Sequence, residues 1–226
     1  MIGYLKEKQK EHFFKHGVRV HVKDELEADI SVQAVIDKVL NTLPHHLFDD
    51  IQSIKIGDFY ELKDRKLQAM YKDGIIYLTN NRETERGMVS DIIHELAHSI
   101  EETHSRIIFG DNKIIDEFLI KRRKMQKILD KKGFKKSDKF YKNVKYSESF
   151  DMFLYKEVGY TNLRALTANL FYSPYAATSL REYFANAFEK YFMHEAPPRL
   201  KTISPEAYNK VVLISQNKKK GENYDL

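Results

Sequence analysis

Apolar and polar residues alternate over 18–22 (VRVHV), the period-two spacing of a half-buried strand. The spacing turns helical over 32–43 (VQAVIDKVLNTL), where Pro44 stops it. Residues 51–60 (IQSIKIGDFY) read as a strand again. Two β-prone runs, 67–71 and 75–79, flank Lys72, Asp73 and Gly74, and the Asp-Gly pair supplies the positive φ angles that a tight hairpin demands. Together these segments predict a small twisted sheet. Beyond the polar loop 80–84, Met88, Val89, Ile92, Ile93, Leu96, Ala97 and Ile100 recur at the helical period and predict a largely buried helix over about 85–102. Past Gly110 the pattern is helical or irregular: a helix over 114–131, a break at Gly133, a mixed stretch over 146–160, and helical runs over 163–171 and 180–194. Pro197 and Pro198 end the last strong helix. The expected fold class is α+β, one domain with a sheet-bearing N-terminal lobe over about 1–105 and a mostly helical C-terminal lobe over about 106–226.

An apolar share of 42% in 226 residues is enough for a core and too much for a disordered chain. There is no cysteine, so only histidine, aspartate or glutamate could hold a metal. Lys6, Lys8, Lys10, Glu11 and Lys15 interrupt the apolar residues at the start, which argues against a cleavable secretion signal. No apolar run approaches the roughly 20 residues of a membrane span. The expectation is a chain that is cytoplasmic as synthesised, with release as an effector by a route needing no signal peptide left open. The net charge of +5 is clustered: Lys121, Arg122, Arg123 and Lys124 lead into a basic stretch that runs to Lys145, and Lys218, Lys219 and Lys220 follow near the end. A solvated helix face and a frayed terminus are the first explanation, and an acidic partner or anionic surface meeting the 121–145 region is the second. No helix-turn-helix or zinc-finger pattern accompanies the charge, so nucleic acid is not the expected partner.

The buried helix contains His94-Glu95-Leu96-Ala97-His98, an H-E-x-x-H. Residues four apart on a helix project from one face, so two imidazoles converge on one ion while the glutamate beside the first faces the remaining position. Zinc there would lower the pKa of a bound water to about 7, and the carboxylate would remove its proton during attack on a carbonyl. A catalytic zinc needs a third protein ligand. His104 lies six residues beyond His98 with no glycine between, which fails the spacing of a third histidine and reads as an exposed helix-end residue. Glu101 and Glu102 share the histidines' helix; Glu101, a turn further along its axis, cannot close a tetrahedron without unwinding it. A second helix is the easier source. Residues 180–188 (LREYFANAF) carry Glu182 beside the inward-packing Tyr183, Phe184, Ala187 and Phe188, although a glutamate on such a helix is often only solvated. Glu148 and Glu157 are reserve candidates.

The stretches 92–100 (IIHELAHSI) and 173–188 (SPYAATSLREYFANAF) resemble the catalytic domains of lethal factor-like and Pro-Pro endopeptidase-like zinc metallopeptidases, among the glutamate-zincins. In that family a tyrosine precedes the glutamate ligand by seven residues and an aromatic-aromatic-Ala run follows it; Tyr175, Glu182, Tyr183, Phe184 and Ala185 match. The resemblance implies a zincin-like fold, a bound zinc ion, Glu182 as third ligand, and Tyr175 as the phenol that hydrogen-bonds the oxyanion, a role suited to a neutral donor. Tyr160 and Tyr172 are alternative phenols. Asn186 stands where the family often has a second glutamate, and the stretch between His98 and Glu182, which holds the basic region, is longer than in those relatives.

The expected activity is therefore a zinc-dependent endopeptidase acting on a peptide or protein that pairs with the 75–79 strand, with His94, His98 and Glu182 on the metal and Glu95 and Tyr175 catalytic. The alternative is a polyanion- or surface-binding effector module on a zincin scaffold with little or no peptidase activity.

Overall fold

The structure, a computed structural model, describes residues 11–15 by their backbone and residues 17–65, 67–195 and 197–216 in full. The tail cluster Lys218, Lys219 and Lys220 and the start 1–10, on which the leader expectation rests, lie outside the described residues. The fold is α+β, and the chain forms two compact units, Met1–Ser99 and Ile100–Leu226, divided within one long helix.

In the first unit, strands β1 (Glu11–Lys15), β2 (Val18–Val22), β3 (Ser53–Ile56), β4 (Ala69–Lys72) and β5 (Ile75–Leu78) form one mixed sheet of order β1-β2-β3-β5-β4. The three central strands are parallel, with Val20 opposite Ile54 and Ile54 opposite Ile76, while β1 and β4 run antiparallel at the edges. Parallel neighbours need crossovers. Helix α1 (Val32–Thr42) lies in the first, and α2 (Tyr60–Arg65) with β4 lies in the second. The Ser31 hydroxyl accepts the Ala34 N–H at 3.2 Å and starts α1. Its stripe Val35, Ile36, Val39 and Leu40 is buried. β3 is shorter than the 51–60 reading suggests: beyond Ile56 the Asp58 N–H turns to Asp24 Oδ2 at 2.9 Å, and Tyr60 already begins α2. The hairpin forms as expected: Asp73 and Gly74 have φ angles of 50° and 78°, matching the right-handed twist of β4 and β5.

One expectation is corrected here. The 75–79 run is not a free edge, since β5 is paired with β3 on one side and β4 on the other. Its apolar residues Ile76 and Leu78 are almost wholly buried, as a central parallel strand requires, and the hairpin's edge strand is β4.

Helix α3 (Glu85–Phe109) is longer than its apolar period indicates and carries a non-helical residue, His104, at φ −115° and ψ 19°. His104 therefore sits half-buried at a kink and not at an exposed helix end. In the second unit follow α4 (Lys113–Lys131), α5 (Asp138–Tyr141), α6 (Glu148–Met152), a π-helical turn Phe153–Val158, α7 (Tyr160–Leu166), a 3-10 turn Tyr175–Ala177, α8 (Leu180–Phe192), α9 (Pro197–Ile203) and α10 (Pro205–Gln216). Helix α8 packs against α4, α9 and α10. The prolines do not close the helical region. Pro197 opens α9 and Pro205 opens α10, the first-turn positions where a missing N–H costs nothing.

Helix α4 also corrects the reading of the basic stretch. Arg123, Lys124, Lys127, Lys131 and Lys132 face solvent, but Lys121 and Arg122 are buried, at 7% and 1% exposed. Among the described residues no helix is long and apolar enough to cross a membrane.

Candidate metal centre

The site starts with the burial of α3. Thr84 caps its first turn, the Oγ1 accepting the Gly87 N–H at 3.1 Å, and Arg82 in the loop before it grips Asp91 through two nitrogens at 2.8 and 3.0 Å. Ile92, Ile93, Leu96, Ala97 and Ile100 are buried, which fixes the rotation of the helix about its axis. That rotation sets His94 and His98 one above the other, ring centroids 5.1 Å apart and planes at 85°. With Glu95 they place ligating atoms within 4.8 Å of one another, so this trio is positioned to hold a metal ion. Glu95 and His98 are 9% and 7% exposed, a partly dry setting that strengthens electrostatic interactions.

Glu95 is also tied to the sheet. The Tyr71 N–H on edge strand β4 donates to Glu95 Oε2 at 2.7 Å, so this amide points away from β5, and the carboxylate lies alongside the β4 edge of the sheet. No side-chain pattern could have announced this contact, because the donor is backbone.

Among the described residues the close group of ligating atoms consists of those three. The other expected site residues belong to the second unit. Glu182 lies half-buried in the first turn of α8, where its N–H donates to the cap Ser179 Oγ at 3.1 Å. Its neighbour Arg181 pairs with Glu101 at 3.2 Å and Glu102 at 3.8 Å, anchoring the start of α8 to the later part of α3. Burial pushes the Glu101 carboxyl up to about 7; Arg181 opposes the rise and Glu182 adds to it. Tyr175 begins the 3-10 turn and is 36% exposed. The alternative phenols have fixed acceptors: Tyr172 donates to the Glu195 carbonyl at 2.7 Å, and Tyr160 donates to Asp151. Burial first and Asp151 second raise the pKa of Tyr160, so it keeps its proton. Glu148 and Glu157, the reserve ligands, are exposed. Asn186 is buried one turn after Glu182.

Sequence reasoning missed the inward turn of Lys121 and Arg122. A signal existed, since Ile114, Phe118, Lys121, Met125 and Arg122, Leu129 fall on the buried stripe of α4, so two cations stand on an apolar face. Compared with protein-family models, with curated proteins and with solved structures, the chain matches none.

Proposed function

We propose that the chain is a zinc-dependent endopeptidase of zincin type in which His94, His98 and Glu182 hold the metal, Glu95 is the general base and Tyr175 the oxyanion donor. The observation that carries the reading is the convergence of His94, Glu95 and His98 on one buried helix, with Glu95 held beside the edge strand β4. The donor set fits zinc: imidazoles with a carboxylate, in a chain without thiols, suit a four-coordinate site that keeps one position open. Support for Glu182 comes from Arg181, whose two carboxylate partners follow His98 on α3 by three and four residues.

Bound zinc would supply a water acidic enough to ionise near neutral pH and would polarise the scissile carbonyl. The protein's own groups do the rest. Glu95, oriented by the Tyr71 amide, takes the proton of the attacking water and passes it to the leaving amine. The Tyr175 hydroxyl donates to the oxyanion, a bond that strengthens as charge develops. The substrate backbone pairs with the edge strand β4 in place of β5. Elemental analysis of the purified chain and of His98→Ala tests the metal; cleavage of a peptide library by wild type and Glu95→Gln tests the chemistry. About one zinc per wild-type chain, lost in His98→Ala, with cleavage confined to wild type, is the expected result, and a metal-free wild type would sink the proposal.

A further inference from the structure

Lys121 and Arg122 have no part in the chemistry above, yet they are among the few charged side chains removed from solvent. Arg122 Nη1 donates to the carbonyls of Ala177 at 2.8 Å and Thr178 at 3.2 Å, and its Nη2 donates to the Phe140 carbonyl. The guanidinium lies 4.3 Å from the Phe150 ring centroid and 5.2 Å from that of Phe118. Lys121 Nζ donates to the Tyr183 hydroxyl at 2.6 Å and Ser204 Oγ at 2.9 Å. Tyr183 in turn donates to Glu117 Oε1 at 2.7 Å, and Glu117 receives the N–H groups of Glu206 and Ala207 at the start of α10.

These acceptors flank Glu182 on both sides. Arg122 holds the two carbonyls just before the α8 cap, and Lys121 holds the residue just after Glu182. The same segment reaches Tyr175, because both the N–H and the hydroxyl of Thr178 donate to the Tyr175 carbonyl, at 2.9 and 2.8 Å. We infer that Lys121 and Arg122 are positioning residues that clamp the 175–183 segment and so fix the placement of Glu182 and Tyr175. This rests on the proposed roles of those two residues. The physical reason is tolerance: metal–ligand bonds accept errors of about 0.2 Å, whereas a 3-10 turn and a helix start have no sheet ladder to hold them to that. At position 122 a planar fork presents Nη1 and Nη2 to carbonyls of two chain segments in a fixed arrangement, of which the single ammonium of a lysine would keep only part.

The test uses the full-length zinc-loaded protein. Zinc affinity is read by competition with a chromophoric chelator, and kcat and KM on a cleaved peptide, for Arg122→Met, Arg122→Lys, Lys121→Met and Glu182→Gln, with thermal melts to establish folding. Arg122→Met should bind zinc about 10- to 100-fold more weakly, the range for loss of an outer-shell contact, with kcat falling at least about tenfold and KM little changed. Arg122→Lys should recover part of both. If Arg122→Met folds cooperatively and keeps wild-type zinc affinity and kcat while Glu182→Gln loosens zinc, the clamp is overturned and the ligand assignment stands. If Glu182→Gln leaves zinc affinity unchanged, the ligand assignment falls and the clamp with it. Should Arg122→Met not fold, Lys121→Met carries the same comparison.

Discussion

The two units place their chemical groups by different means. In the first, His94, Glu95 and His98 lie within two turns of one buried helix, so their mutual geometry is a property of helical spacing, and only the rotation of α3 has to be set by packing. In the second, Tyr175 and Glu182 stand on a three-residue turn and a helix start, held by side chains from more than fifty residues earlier in the chain. Locally determined geometry survives distant substitutions, whereas geometry held at long range is lost at several places. Perturbing each kind should therefore give different signatures.

The largest effects belong to the first unit. His98→Ala should remove the metal altogether, with zinc content falling from about one per chain to near zero and activity falling with it. Glu95→Gln should leave zinc bound and lower kcat by about 10³-fold, within the range for loss of a general base. Glutamine keeps an oxygen acceptor for the Tyr71 N–H, so its melting temperature should stay near wild type, while Glu95→Ala should both inactivate and destabilise. A Glu95→Gln chain that still cleaves peptide would remove Glu95 from the reaction and leave it a tie between α3 and β4.

The same contrast explains what could be read in advance. The grouping of His94, Glu95 and His98 on α3 was legible because five consecutive residues on an apolar-flanked helix contain the whole arrangement, and the hairpin was legible because Asp73 and Gly74 have a conformational reason to be there. Strand order was not: a β-prone run at 75–79 marks a strand without saying which neighbours it takes, and the parallel pairing with β3 that buries β5 is a long-range fact. The helices after Pro197 were missed because proline was taken as a stop, although it also starts helices. Lys121 and Arg122 were read by charge before they were read by position, and on the α4 stripe the position decides.

Smaller effects sharpen the comparison on the side of the second unit. Tyr175→Phe should keep zinc and KM and lower kcat by about 10²-fold, as expected for one oxyanion donor; an unchanged kcat would reassign the donor. Lys121 offers a pH test. Burial holds its ammonium down to about 8 from 10.5, so between those values the folded chain binds fewer protons than the unfolded one. The penalty is fully present below pH 8 and relieved as pH rises towards 10.5, so wild type should gain on Lys121→Met across that window by at most roughly 3 kcal/mol. Urea melts of both proteins at pH 7.5 and 9.5 would reveal it, and a pH-independent difference would contradict it.

The smallest effect separates stability from function most cleanly, because both units contain the same device. Ser31 caps α1 and Ser179 caps α8, each hydroxyl accepting an N–H three residues on, at 3.2 and 3.1 Å. Replacing either by alanine should cost about 1 kcal/mol of stability, an equal loss from equal chemistry. The donor at Ser31 is Ala34, which has no chemical role, whereas the donor at Ser179 is Glu182 itself. Ser31→Ala should therefore lower the melting temperature alone, and Ser179→Ala should lower it similarly while also weakening zinc binding by a few-fold. Equal zinc affinities in the two variants would mean that the α8 start is held well enough by Lys121, Arg122 and Arg181 without its cap, or that Glu182 does not touch the metal. Glu182→Gln distinguishes these, since it loosens zinc only in the first case.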